Sequence, residues 1–212
     1  MPSPVGHALG GVIAGWSVAP RHNVHTALVL AAVAVAPDLD LLLGNHRGIS
    51  HSVGGAFIVG VVTAAAWSAF APSALRRDTL RVALGATLAW GSHAFLDWLS
   101  NDTRPPLGVM ALWPFTSEYY KSGVEIFPPV SRRYWEPRFW IYNLRALVFE
   151  LIVLGPPALV CVIVNRYRNR ARSSVPDDPP PPSGGAGGTG GTSDPQSLRA
   201  GRSGSRDIHP SR

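Results

Sequence analysis

The sequence predicts an all-α, multi-pass membrane bundle of four to five helices. Three observations predict it: apolar residues gather in five runs, those runs are nearly free of charge, and glycines crowd two of them. Hydrophobic residues make up 46% of the 212 and charged residues 15%, against roughly 25% charged in soluble domains.

The first two runs, residues 5–19 and 26–43, are rich in Gly, Ala and Val and are separated by Arg21, His22, Asn23, Val24 and His25. A membrane helix needs about 20 mostly apolar residues. Both runs are therefore expected as short helices inside the bundle, or as a hairpin that enters without crossing. Residues 53–71 carry no formal charge and predict a full span. Residues 79–99 predict another, with Arg81 near the start and His93 and Asp97 near the end turned inward. Residues 144–164 form the fifth run, followed at once by Arg166, Arg168, Arg170 and Arg172. A soluble helical core is the alternative, and uncharged runs of this length argue against it. Gly6, Gly10, Gly11, Gly15, Gly54, Gly55 and Gly60 allow helices to approach closely.

Residues 1–172 are thus expected to form one membrane-embedded domain. It contains an aromatic loop over 100–143, either lying at headgroup depth or covering a site. Residues 173–212, with four consecutive prolines and then a glycine-rich stretch, predict a disordered tail. The formal charge of +6 comes from eighteen arginines and one lysine against thirteen acids. That balance suits an anionic membrane surface, and no nucleic-acid motif accompanies it. One cysteine, Cys161, excludes an intrachain disulfide. No Lys or Arg precedes the first apolar run, so a secretory signal peptide is not expected. The basic flank of the fifth run predicts a cytoplasmic C-terminus in an inner membrane.

The chemistry-bearing residues fall at run ends. His7 opens the first run; Asp38 and Asp40 interrupt the end of the second; His46 and His51 join the second to the third; His93 and Asp97 close the fourth. If each run crosses once, alternation brings all of them to one membrane face, the outer one if the C-terminus is cytoplasmic. His93 and Asp97, four residues apart on a helix, are neighbours able to share a metal. Asp38 and Asp40 follow a proline and, if extended, point the same way. Imidazoles and carboxylates together suit zinc, with manganese or iron as competitors. Six donors exceed a closed four-ligand site, which hints at two ions and an open position for water. Each residue also has a duller reading: His7 and the aspartates as helix caps, His93 and Asp97 as a hydrogen bond between turns. His22, His25 and His209 fall on the opposite face or in the tail.

These pieces resemble the YdjM-like family of membrane-bound, predicted metal-dependent hydrolases. The resemblance rests on Gly6-His7 with Gly10-Gly11, Pro37-Asp38-Leu39-Asp40, His46-Arg47-Gly48-Ile49-Ser50-His51-Ser52, His93 to Asp97, and Leu112-Trp113-Pro114-Phe115. It covers residues 5 to about 115. Through the family, the chain looks like a distant relative of zinc-dependent phospholipase C and P1-type nucleases, whose helical His-x-x-x-Asp pair would correspond to His93 and Asp97. Ser50 stands where the family usually has threonine.

The resemblance implies metal-assisted hydrolysis of a phosphoester in a membrane lipid or lipid-linked molecule, with one or two divalent ions on His7, Asp38, Asp40, His51, His93 and Asp97. His46 is expected as a ligand or proton carrier. Arg47 is expected as a phosphate clamp or a side chain snorkelling to headgroups, and Ser50 and Ser52 as partners of the ligands. An ion or proton transporter would instead spread ionisable groups across membrane depth. An adaptor with a structural metal would depend on residues 173–212.

Overall fold

A computed structural model describes residues 1–44, 46–102 and 105–173. Five α-helices carry it: α1 Pro4–Trp16, α2 Val24–Val35, α3 Val53–Phe70, α4 Thr79–Trp98 and α5 Phe139–Ser173. Among the described residues there is no β-strand, only isolated pairings of Ser100 with Phe127 and of Val109 with Tyr120. The tail expected beyond Ser173 lies outside the described residues.

Local chemistry starts the helices where the sequence supplies caps. Ser3 precedes Pro4 and accepts a hydrogen bond from Gly6 N (3.2 Å). Asn23 accepts from Thr26 N (2.9 Å) and Ser52 from Gly55 N (2.9 Å). In each case a side-chain oxygen satisfies one N–H that the first helical turn leaves free. The second apolar run does not stay α-helical. After Val35 it tightens into a 3₁₀ helix over Ala36–Leu43, where Pro37 has no N–H to continue the α-helical ladder.

Among the described residues, three helical stretches are long and apolar enough to cross a membrane: Val24–Leu42, Val53–Phe70 and Phe139–Arg168. The second run, marginal by sequence, joins them because its 3₁₀ turn extends α2. At 13 residues, α1 is only about 20 Å long, and it packs against α2, α4 and α5. Its glycines set that contact. A Cβ on Gly11 would lie 2.2 Å from the Ala34 Cβ, and one on Gly15 would lie 2.7 Å from the Gly85 carbonyl oxygen. Neither position accepts even alanine without pushing a helix away. Outward faces are apolar: Phe57, Val61 and Val62 on α3 and Ile152, Leu159 and Val160 on α5 are exposed, as expected of surfaces that meet lipid.

Successive helices reverse direction. The starts of α1, α3 and α5 and the ends of α2 and α4 therefore meet at one end of the bundle. The aromatic loop is tied to that end. Ala111 and Trp113 offer carbonyls to the first N–H groups of α3, from Val53 and Gly54 (both 2.9 Å). Ile126 N donates to Leu99 O (2.8 Å), and Asn101 N to Phe127 O (2.9 Å). Phe127 is buried with Leu96 and Leu154, so part of the expected interfacial segment is core.

Candidate metal centre

Four elements deliver the donors: α1 brings His7, the 3₁₀ turn brings Asp38 and Asp40, the box before α3 brings His46 and His51, and the last turn of α4 brings His93 and Asp97. His7, His51 and His93 have no exposed surface, and Asp97 almost none. The box is pinned to α4 by Trp90, whose indole N–H donates to Ser50 O (2.7 Å).

Two imidazoles are oriented from behind. His93 Nδ1 lies 2.7 Å from Ala34 O, a carbonyl that accepts its proton and leaves Nε2 as a lone pair. His51 Nδ1 lies 3.1 Å from Asp40 Oδ2, which fixes the same tautomer. The two Nε2 atoms then face each other at 3.0 Å. Two lone pairs at that distance repel unless a proton or a cation lies between them. Burial alone would lower the His51 imidazole, but the carboxylates of Asp38 and Asp40 outweigh it and hold it up at about 9. His46, by contrast, is pushed below its ordinary value by burial, against the pull of Asp40.

Around those nitrogens stand the carboxylates. Asp38 Oδ1 is 3.5 Å from His93 Nε2 and 3.8 Å from His51 Nε2. Asp97 Oδ2 is 3.4 Å from His51 Nε2, and Asp97 Oδ1 is 3.4 Å from His7 Nε2. The His7 and His93 rings stack with centroids 3.7 Å apart. Among the described residues, two groups of donors could hold a metal ion: Asp38, His46, His51 and Asp97, and His7, His93 and Asp97, each with ligand atoms within 4.8 Å of one another. Asp97 belongs to both.

The fit to a cation is supported by what these atoms lack. Both ring nitrogens of His7, both oxygens of Asp97 and Oδ1 of Asp38 are buried without a hydrogen-bond partner. Each such atom costs about 1–3 kcal/mol if left so. Gathering several at one point is the arrangement expected of ligand atoms. Mixed imidazole and carboxylate donors suit zinc, manganese or iron alike.

Two expectations need correction. Asp38 and Asp40 are not extended and do not point the same way. On a 3₁₀ helix, with three residues per turn, side chains two apart diverge. Asp38 faces the donors, while Asp40 turns to His46 Nδ1 (2.8 Å), the Ser50 hydroxyl (2.6 Å) and Arg47 N (3.1 Å), outside both donor groups. Nor does Arg47 snorkel. It is buried, its Nη1 pairs with Asp102, and the same Nη1 donates to Pro106 O (3.3 Å). Its backbone sits at φ 69, a left-handed conformation that costs a non-glycine residue on the order of 1–2 kcal/mol.

Of the two serines, Ser50 touches the site, bonding Asp40 and lying 2.9 Å from His51 Nδ1. Ser52 instead caps α3. Reasoning from sequence missed Glu150. Fully buried on α5, it accepts hydrogen bonds from the backbone N (2.6 Å) and the hydroxyl of Ser3, and so fixes the start of α1 one turn before His7. Its signal was available: it is the one acid within the apolar run 144–164.

The sequence matches the family model of the YdjM inner membrane protein over residues 1–172. No curated protein and no solved structure matches the chain. The chain belongs to the YdjM inner membrane protein family.

Proposed function

We propose that this member of the YdjM inner membrane protein family is a multi-pass, metal-dependent hydrolase that cleaves a phosphoester in a lipid or lipid-linked substrate. The observation that carries the reading is Asp97, a buried carboxylate shared by two donor groups, with neither oxygen hydrogen-bonded. His7, Asp38, His51, His93 and Asp97 would hold one or two divalent ions, zinc foremost. Bound there, a divalent ion supplies Lewis acidity and lowers the pKa of a water ligand toward about 7.

The protein's own groups do the rest. Ala34 O and Asp40 hold the His93 and His51 rings with Nε2 forward. His46 is half-buried, belongs to one donor group and lines the neighbouring cavity; we assign it the role of proton carrier, taking the proton of the attacking water at Nε2 and passing it to the leaving oxygen. Arg47, lining the same cavity, is assigned to the substrate's anionic oxygens. An amphiphilic substrate follows from donors that gather where apolar helices end. The arginines after Asn165 favour a cytoplasmic C-terminal end of α5, which puts the site on the outer face.

The test is metal analysis of the purified full-length protein beside Asp97→Ala and the isosteric Asp97→Asn, with hydrolysis of phospholipid esters measured on the same samples. Outer partners of a metal ligand are worth about 10- to 100-fold in affinity or activity, so a shared ligand should exceed that. Bound metal and hydrolysis are expected to fall to background in both variants. Metal retained at the wild-type ratio would overturn the reading.

A further inference from the structure

Beside the donors lies a cavity of about 450 Å³ whose wall includes His46, Arg47, Asp102, Arg132, Arg133 and Glu136. Its charges do not cancel. Arg47 pairs with Asp102, and Arg133 Nη1 pairs with Glu136 Oε1 at 2.8 Å. Arg132 pairs with no carboxylate among the described residues; its Nη2 donates to the Met1 thioether Sδ at 2.6 Å and reaches His46 Nε2 at 3.4 Å. A surplus cation thus lines a cavity whose wall also holds His46, a member of one donor group.

A planar guanidinium presents paired N–H groups that match two oxygens of a phosphate. Exposed Tyr134 and Trp135 lie two and three residues after Arg132, and such rings favour the headgroup layer. An apolar tail can therefore stay in the bilayer while an anionic head turns into the cavity.

We propose that this cavity takes the phosphate oxyanion of the substrate and that Arg132 is the residue that binds it, an inference that rests on the hydrolase reading and narrows its substrate to one with an anionic headgroup. His46 accepts from Arg132 at Nε2 while its Nδ1–H donates to Asp40 Oδ1. When Arg132 turns to a phosphate oxygen, the Nε2 lone pair of His46 is released beside the bound ester. Binding of the anion and readiness of the proton acceptor are then one event.

The experiment measures binding by calorimetry to the full-length protein in detergent micelles, with metal content determined on each sample. The probes are a short-chain phosphatidate, the matching diacylglycerol, and inorganic phosphate as competitor. Wild type is expected to bind phosphatidate and not diacylglycerol. Arg132→Gln should weaken phosphatidate binding by about tenfold or more at unchanged metal content, Arg132→Lys less, and Arg138→Gln not at all. Competition by inorganic phosphate identifies the phosphate group alone as the ligand; its absence identifies the headgroup in its lipid setting, and both support the proposal. Unchanged affinity in Arg132→Gln, equal loss in Arg138→Gln, or equal binding of diacylglycerol overturns it. The hydrolase reading fails separately, on a wild-type protein that holds no metal.

Discussion

The two ends of the bundle carry similar residues and use them differently. At the end opposite the donors, His22 Nε2 bonds Trp16 O at the close of α1 (2.9 Å), and Arg76 Nε donates to Ala71 O after α3 (3.1 Å). Thr79 donates to Arg76 O (2.6 Å), and Arg21, His25, Arg77 and Arg81 are exposed. These side chains cap helix ends or meet water, which is the usual work of polar groups at helix termini. At the donor end, His7, His51, His93 and Asp97 are buried, and the atoms of His7 and Asp97 that face one another have no hydrogen-bond partner. Capping explains the first set and fails for the second. A polar group at a helix end is thus informative only when its partners are counted.

The widest break in that comparison comes from removing one histidine at a time. His93→Gln keeps bulk and polarity but removes a nitrogen 3.0 Å from its counterpart on His51. It should lower metal affinity by on the order of 100-fold or more. His22→Gln, at the capping end, should leave the affinity within about twofold and cost at most about 1 kcal/mol of stability. Chelator competition on both variants decides it, and equal affinities would erase the distinction between the two ends.

Acidity sharpens the comparison at the donor end alone. The metal-free protein holds His51 at about 9, so near neutral pH an incoming ion must displace a proton. Between pH 7 and 9 the apparent affinity should rise by about tenfold per unit and level off above that. The same shift bears on the metal-free fold. A pKa raised from 6.5 to about 9 adds stability that is fully present below 6.5 and lost as pH rises through 9. Metal should therefore raise the melting temperature more at pH 9 than at pH 7. An affinity that stays flat across this window removes His51 from the ligands.

What could be read from the sequence was what depends on period and position. Five apolar runs became five helices, and donors at run ends met because antiparallel helices bring alternate ends together. What escaped were decisions taken by packing. Nothing local distinguishes an extended Pro37–Asp40 from a 3₁₀ turn; its contacts with α4 and with the box do. Arg47 was legible as a cation, but its partner Asp102 lies 55 residues on. Arg132 was one of five cations in an aperiodic loop, and only the cavity singles it out. Glu150 and Ser3 are 147 residues apart, so the acid was visible and its partner was not.

The smallest expected effect sits behind the ligands. Asp40 accepts from Ser50 and Arg47 N and faces both His46 and His51, yet it belongs to neither donor group. Its work is to hold the His51 ring with Nε2 forward and to keep that nitrogen basic. Asp40→Asn preserves the shape, removes the charge and turns an amide N–H toward at least one of the donors that Asp40 now accepts. Metal stoichiometry at saturation should be unchanged while affinity falls by about tenfold, the scale of an outer partner of a ligand. Without that carboxylate the pull that raises His51 weakens, so the pH at which affinity levels off should move below 9. Chelator competition across pH reads both quantities at once. If Asp40→Asn empties the site as His93→Gln does, Asp40 is itself a ligand and the division between holding a ring and holding an ion disappears.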